Sequence, residues 1–281
     1  MPTPTLNASA LTEGSIAARF LSLVQTFDGL TGAPKLAGSP RWIALGTAIC
    51  LYGVSKIIGK KYGVNWFSFF HAIAVGNMAF VAVYLNVFAA EALTGTTEPL
   101  GAILCQGPLT TFHSIVPAIT MGFGFFDISE GLHMAKPDFI LHGFATLSIM
   151  AYFCEYGVPE IIVPMLLMEI STINLCFLGA GDHMSQLMTI LNIAIFTINF
   201  AIYRIIVCPY LWWGIWTATW EHRNNPVSQA CLPWHFTYVV FVFGMFFNCL
   251  NTFWFIKIIK KMTRKFTGSE DWRTKNHVKD T

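Results

Sequence analysis

Seven long apolar runs divide this chain, and they constrain its fold more than any other feature. The hydrocarbon core of a bilayer is about 30 Å thick, and an α-helix crosses it with about 20 apolar residues. Helices are favoured there because lipid offers the backbone no other hydrogen-bond partners. The sequence therefore predicts an all-α polytopic bundle of about seven transmembrane helices. The predicted spans are 42–59, 66–92, 111–133, 138–157, 158–181, 186–212 and 235–258.

The overall composition argues against a soluble protein. Hydrophobic residues make up 54% of the chain and charged residues only 11%, whereas a soluble domain carries about 25% charged residues. We therefore expect membrane lipids as the partners of this protein and no nucleic acid. The oligomeric state cannot be read from the sequence.

Positive charges are distributed unevenly about the predicted spans. Of the 17 Lys and Arg residues, twelve fall on the side of the C-terminal tail, four fall on the opposite side and Arg204 lies inside a span. Because cytoplasmic loops are enriched in Lys and Arg, the pattern predicts a cytoplasmic C-terminus and a non-cytoplasmic N-terminus. The first 41 residues lack the pattern of a cleavable signal peptide and are rich in Gly and Pro, so we expect loose structure there.

The seven cysteines do not form a disulfide framework. Five of them lie in or at the ends of predicted spans, where a packing role is expected. Cys105 and Cys231 fall in predicted non-cytoplasmic loops, which permit a disulfide. Whether these two cysteines pair is left open.

Polar and ionisable side chains occur inside several spans. Such a group costs about 2.5–3.5 kcal/mol or more at the centre of a membrane helix, so each needs a partner or a cavity. One interpretation is that they form interhelical hydrogen bonds and ion pairs that hold the bundle together. The other is that four of them line one interior polar cavity: Asp127, His142, Glu169 and Arg204.

Two sharper motifs can be set aside. Glu130 and His133 have the Glu-x-x-His spacing of di-iron bundles, but those sites need two such motifs and two further carboxylates. A retinal protein needs a lysine deep in its last span, and the last span here has none before Lys257. We expect no metal and no cofactor.

Five short segments carry a family resemblance. Their residues and order resemble the TLC-domain family, which includes ceramide synthases and translocation-chain-associating membrane proteins. The resemblance covers roughly residues 62–262 and is nearest to the short TLC-domain-containing membrane proteins. The segments are Phe69-Phe70-His71-Ala72, Gly122–Asp127, His142, Met168–Thr172 and Tyr203–Tyr210.

The resemblance implies a barrel of six helices, spans two to seven, around a narrow lipid-sized cavity, with the first span outside it. Together with the apolar runs and the charge distribution, it divides the chain into four parts: a loose non-cytoplasmic N-terminal segment at 1–41, a first span at 42–61, a TLC domain at 62–262 and a basic cytoplasmic tail at 263–281. The residues expected to line the cavity are His71, Asp127, Glu130, His142, Glu169, Thr172, Asn199, Tyr203 and Arg204.

The resemblance to ceramide synthases is incomplete at the residues that carry their chemistry. Those enzymes have two adjacent histidines where this chain has His142 and Gly143. They also have a second carboxylate where this chain has Thr172. If the chain is an acyl-CoA-dependent N-acyltransferase, His142 is the expected acyl acceptor, with Glu169 to orient it and Asp127 as a further carboxylate.

Three functions follow from these observations. The first is a lipid-binding or lipid-sensing membrane protein of lipid homeostasis, which needs a cavity but no complete catalytic set. The second is an acyltransferase of ceramide-synthase type, with acyl-CoA as a substrate. The third is an accessory protein of trafficking or translocation. The resemblance implies the endoplasmic reticulum or another endomembrane as the location for all three.

Overall fold

The structure is a computed structural model, and it describes residues 46–47, 49–50, 64–88, 111–156, 158–224 and 232–266. All regular elements within these ranges are helical. The α-helices in chain order are α1 (Trp66–Phe88), α2 (Thr111–His133), α3 (Pro137–Glu155), α4 (Pro159–Ile162), α5 (Glu169–Leu175), α6 (Gln186–Phe200), α7 (Cys208–His222) and α8 (Phe236–Phe266).

The helices agree with the predicted all-α membrane bundle. Within the described ranges, five helical stretches are long and apolar enough to cross a membrane. The chain is therefore an integral membrane protein. The five stretches are Trp66–Val83, Ile115–His133, Val163–Ala180, Gln186–Glu221 and Phe236–Arg264.

Two of the seven predicted spans, the first and the fourth, are not among these five stretches. The first predicted span, 42–59, lies almost wholly outside the described residues, as do Cys105 and Cys231. The fourth corresponds to α3, which has 19 residues but is not among the five stretches. Polar residues such as Asp138 and His142 lower its hydropathy.

The fifth predicted span is not one continuous α-helix. After α4, a 3₁₀ segment covers Val163–Met168 and leads into α5, and a second 3₁₀ segment follows at Leu178–His183. Pro164 lies in the first 3₁₀ segment and has no backbone N–H to donate, which disfavours a regular α-helix there. Every residue of that segment is buried, so the irregular backbone is covered by protein, as membrane proteins require.

The sixth predicted span ends too early at 212, because the helix continues to His222. Between α6 and α7 the chain forms a π-helix at Ala201–Val207. Pro209 lies two residues after the end of the π-helix, and a proline inside a helix clashes with the carbonyl four residues before it. The wider π turn accommodates such an interruption without ending the helix. The last helix also exceeds its predicted end at 258 and reaches Phe266, four residues into the predicted tail.

A tight turn joins α2 to α3 and sets the two helices side by side. Ala135 adopts a left-handed φ of 51°, and the N–H of Lys136 donates to the carbonyl of Gly131 over 2.8 Å. This is the pattern of a Schellman turn, which satisfies the last carbonyls of a helix. Pro137 then starts α3, where its missing N–H is not needed.

The outer surface of the bundle is rich in apolar side chains, and the interior contains a group of ionisable ones. Large side chains that are more than half exposed occur on α1, α3, α6, α7 and α8, as lipid contact requires. In contrast, Asp127, Glu169 and Arg204 are each less than 10% exposed. These three ionisable groups of the predicted spans therefore face the interior of the bundle.

Candidate functional site

A carboxylate–imidazole pair joins α2 to α3. His142 Nδ1 lies 2.9 Å from Asp127 Oδ2, and both side chains are buried. The imidazole N–H donates to the carboxylate, which orients the ring and leaves Nε2 directed away from Asp127. Asp127, rather than the predicted Glu169, is therefore the carboxylate that orients His142.

Small residues allow this close approach of α2 and α3. A Cβ added at Gly143 would lie 2.7 Å from the carbonyl oxygen of Gly124 and 2.9 Å from the Cβ of Asp127. Contacts this short are not tolerated, so glycine is required unless the helices separate. Gly143 is thus the reason that Asp127 reaches His142. The second histidine of the ceramide synthases has no room at this position.

The His142–Asp127 pair is one half of a buried polar cluster, and the pair of Arg204 and Glu169 is the other half. Arg204 lies in the π-helix, and its Nη2 is 3.5 Å from Glu169 Oε1. Its Nε donates to Ser171 Oγ and its Nη2 to Thr172 Oγ1, each over 2.9 Å. Nη1 completes the set by donating to Asn251 Oδ1 of α8 over 3.3 Å. The side chain of Arg204 therefore ties the π-helix to α5 and to the last helix.

Trp254 of α8 lies between the two halves of the cluster. Its ring centroid is 5.3 Å from that of His142, and the Arg204 guanidinium carbon lies 5.9 Å from the Trp254 ring. Its indole Nε1 donates to Asp138 Oδ2 over 3.2 Å. Lys257 also binds Asp138 Oδ2, at 3.3 Å. These contacts place the start of α3 and the C-terminal part of α8 at the same end of the bundle.

A small enclosed cavity lies next to the cluster. His71, His142, Glu169 and Trp212 contribute its polar side chains together with two threonines, and the rest of the lining is apolar. The cavity volume is about 10 Å³, which is room for roughly one water molecule. It is smaller than the lipid-sized space that the family resemblance implies. A lipid chain would enter only if the lining side chains moved.

His71 is held against the cavity by stacking rather than by hydrogen bonds. Its ring is nearly parallel to that of Phe123, at 7°, with the centroids 3.8 Å apart. His71 Nδ1 and Nε2 have no hydrogen-bond partner among the described residues, and neither has His142 Nε2. These three nitrogens are buried and belong to side chains that line the cavity.

The structure brings together most of the predicted site residues, but not all. His71, His142 and Glu169 line the cavity, and Asp127, Thr172 and Arg204 contact these side chains or lie beside them. The other three predicted residues do not line the cavity: Glu130, Asn199 and Tyr203. Glu130 is only partly buried near the end of α2, and Tyr203 packs against the hydrophobic core.

Asn199 belongs to a separate group of amides. Its Nδ2 donates to Asn174 Oδ1 over 3.0 Å, and Asn174 Nδ2 donates to Asn192 Oδ1 over 3.1 Å. The group joins α5 to α6 and fits the interpretation of polar residues that hold the bundle together. Asn192 and Asn199 are seven residues apart and therefore share one helical face, whereas Asn174 has no such periodic relation to them.

Sequence reasoning missed Asn251, Trp254 and Trp212. Asn251 is almost fully buried, and a polar residue inside the apolar run 235–258 was a usable signal that it has a partner. The two tryptophans carried no such signal, because aromatic side chains are common throughout the spans. Within the described ranges, no group of three His, Cys, Asp or Glu side chains is arranged to hold a metal ion.

The buried polar side chains and the cavity beside them limit the chemistry that this site can perform. An imidazole that is oriented by a carboxylate and has a free Nε2 can accept a proton or an acyl group. The Arg204–Glu169 ion pair is saturated by neighbours and has a structural role. The cavity can hold one small polar group against His71 and His142, with apolar surroundings for the rest of a ligand.

Comparison with known proteins identifies the family. The family model of the TLC domain matches residues 61–260. The comparisons with curated proteins and with solved structures find no match. The matched segment covers well over half of the chain and contains all the residues of the polar cluster. This integral membrane protein therefore belongs to the TLC domain family.

Proposed function

We propose that this protein binds a lipid in the cavity beside His71 and His142 and thereby influences membrane lipid composition. One observation carries the proposal. Buried ring nitrogens without partners line a cavity whose remaining walls are largely apolar. Ligand sites combine a few placed polar groups with apolar walls in this way, and a lipid has both parts.

Lipid extraction from the purified protein tests the proposal. Thr146 lines the cavity and is buried, so Thr146→Leu should fill much of the small space. We expect the wild-type protein to co-purify with a lipid class that is enriched over the bulk membrane, as measured by mass spectrometry. Thr146→Leu should lose that enrichment.

The exposed Thr252 provides the matched control. Thr252→Leu makes the same change on the outer surface and should retain the lipid. The proposal would be contradicted if the wild-type protein and Thr146→Leu had identical lipid profiles. Thermal unfolding curves first show that both proteins are folded. Lipidomics of cells with and without the protein then measures its effect on membrane composition.

Acyl transfer is a second candidate function, and the His142–Asp127 pair favours it. The pair supplies an oriented imidazole at the cavity. However, Gly143 leaves no room for a second histidine, and Thr172 stands where the ceramide synthases have a second carboxylate. Loss of a general acid or base costs about 10²–10⁴-fold in rate. We therefore expect little or no ceramide synthesis.

An assay with acyl-CoA and a sphingoid base measures this activity directly. The purified protein should form ceramide at a rate close to that of protein-free detergent. Robust synthesis by the wild-type protein that His142→Ala abolishes would make acyl transfer the leading function. The matched control is His133→Ala, because His133 is exposed at the end of α2.

For location, we propose the endoplasmic reticulum or another endomembrane, with the C-terminus in the cytoplasm. The excess of Lys and Arg on the side of the tail supports this orientation. The contact between Lys257 and Asp138 also supports it, since it joins the basic end of α8 to the loop that carries Lys136. Fluorescence microscopy of a tagged protein beside organelle markers tests the location, and a plasma-membrane signal would contradict it.

A further inference from the structure

The cavity contains more hydrogen-bonding capacity than the protein itself uses. His71 Nδ1, His71 Nε2 and His142 Nε2 are buried, and none has a partner in the described part of the chain. Both side chains line the same cavity. A buried polar atom without a partner loses the hydrogen bonds that it would make to water, so these atoms point to an occupant that pairs with them.

The donor and acceptor pattern narrows the chemistry of that occupant. In the tautomer that donates from His142 Nδ1 to the Asp127 carboxylate, Nε2 is an acceptor. A neutral His71 offers one N–H donor and one acceptor nitrogen. An occupant that pairs with both rings therefore donates to His142 and accepts from His71. A hydroxyl group does both, whereas a carboxylate only accepts and an ammonium only donates.

The size and charge of the site point the same way. A volume of about 10 Å³ admits one oxygen-sized group, so a phosphate or a sugar is too large. The buried cluster has two carboxylates, Asp127 and Glu169, and one guanidinium, Arg204. Two carboxylates this close disfavour a fatty-acid carboxylate in the adjoining cavity. An ammonium would lose its hydration there without a free carboxylate in exchange, because Asp127 and Glu169 already pair with His142 and Arg204.

The apolar walls of the cavity contain flexible side chains that can change shape around the acyl chain of a ligand. Met150, Met165 and Met168 line it, and methionine changes shape more readily than branched residues do. Rotation of these flexible side chains is the way in which the cavity would lengthen to admit an acyl chain. The walls therefore suit a ligand with a single chain.

We propose that the cavity binds the hydroxyl group of a neutral single-chain lipid between His71 and His142, with the chain among the three methionines. This proposal rests on the proposed function and specifies its ligand class. His71, stacked on Phe123, would be the residue that distinguishes a hydroxyl from a charged head group.

Three ligands with the same chain and different head groups provide the test. The purified full-length protein in detergent is titrated with 1-hexadecanol, palmitic acid or hexadecylamine, and binding is measured by native mass spectrometry. We expect hexadecanol to bind at least about tenfold more tightly than the other two, which corresponds to about one hydrogen bond. His71→Phe should weaken hexadecanol binding about tenfold, and the exposed control His133→Phe should not.

Each alternative outcome is distinct. If palmitic acid or hexadecylamine binds as tightly as hexadecanol, the hydroxyl proposal is wrong while lipid binding stands. If none of the three binds although lipid co-purifies in a Thr146-dependent manner, the occupant of the hydrogen-bonding site is water, and the proposal is also wrong. If His71→Phe does not fold, His142→Asn keeps a donor for Asp127 and removes the Nε2 acceptor instead, and unchanged hexadecanol binding by that variant overturns the proposal.

Discussion

Single residues decide how charge is buried in this bundle. Arg204 contacts Glu169 and three neutral side chains, while Asp127 has the imidazole of His142 as its partner. In a low-dielectric interior, a charge is tolerated only when hydrogen bonds and an opposite charge replace water. The cost of burying Asp127, Glu169 and Arg204 is therefore offset by named partners, and the removal of a partner has a predictable direction.

Arg204→Leu should destabilise the protein. The change leaves Glu169 buried without its opposite charge, and breaking such a pair costs about 3–5 kcal/mol. Thermal unfolding of the detergent-solubilised protein should show a lower midpoint temperature. The exposed Arg264 offers a control, and Arg264→Leu should leave the midpoint almost unchanged.

A double variant separates the ion pair from simple packing. Glu169→Gln added to Arg204→Leu removes the stranded charge and should recover part of the lost stability. Arg204→Leu with an unfolding midpoint equal to that of the wild-type protein would argue that the two side chains do not pair.

At the scale of the helical element, irregular geometry positions the site. The π-helix at Ala201–Val207 holds Arg204 toward α5 and α8, and the 3₁₀ segment before α5 precedes Glu169 directly. Between α2 and α3, Gly124 and Gly143 allow the backbones to approach closely. Departures from the regular α-helix in membrane proteins are tolerated where the backbone is buried in protein, and the 3₁₀ segment Val163–Met168 is fully buried. The π-helix is partly exposed, but Arg204 within it is buried.

Gly143→Ala tests the role of helix approach. The added methyl group would lie 2.7 Å from the Gly124 carbonyl oxygen, and we expect a loss of about 1–3 kcal/mol from overpacking. The helices should also separate, which breaks the contact between His142 and Asp127. The readouts are thermal unfolding and, for the contact, the imidazole resonances of His142 in NMR spectra.

Gly214 is the matched control for this prediction. A Cβ added there meets nothing within 4 Å, and alanine is favoured over glycine in a helix by up to about 1 kcal/mol. Gly214→Ala should therefore be neutral or stabilising. Equal effects of Gly143→Ala and Gly214→Ala would show that the helix contact does not depend on glycine.

At the scale of the whole molecule, the distribution of charge and apolar surface defines the relation to the bilayer. Apolar side chains such as Phe80, Ile206 and Trp213 are exposed on the outside of the bundle. The basic residues concentrate in and after the C-terminal part of α8, beside the start of α3. The bundle therefore has one distinctly basic end.

A glycosylation reporter in the tail checks the orientation. With the basic end in the cytoplasm, a sequon inserted after residue 270 should remain unmodified when the protein is made with endoplasmic-reticulum membranes. A reporter in the loop between α7 and α8 should be glycosylated. Efficient modification of the tail would reverse the orientation of every span.

The membrane fold was predictable because its cause is local in sequence. A run of about 20 apolar residues becomes a membrane helix whatever its neighbours are, and α2 begins and ends at the predicted residues. The helix ends beyond 212 and 258 were not predictable in the same way. Polar and aromatic residues at those ends tolerate either a helix or a loop, and the choice depends on packing.

For the polar cluster too, one part was predictable from the sequence and another part was not. An ionisable side chain has a free-energy cost in lipid that depends on the residue itself. The sequence alone therefore indicated that four side chains face the interior: Asp127, His142, Glu169 and Arg204. Which residue pairs with which depends on helix distances of a few ångströms, set by glycines, the π turn and the 3₁₀ segment. For that reason only the tertiary structure decided that Asp127 orients His142, that Glu169 binds Arg204, and that His71 faces the cavity with its ring nitrogens unpaired.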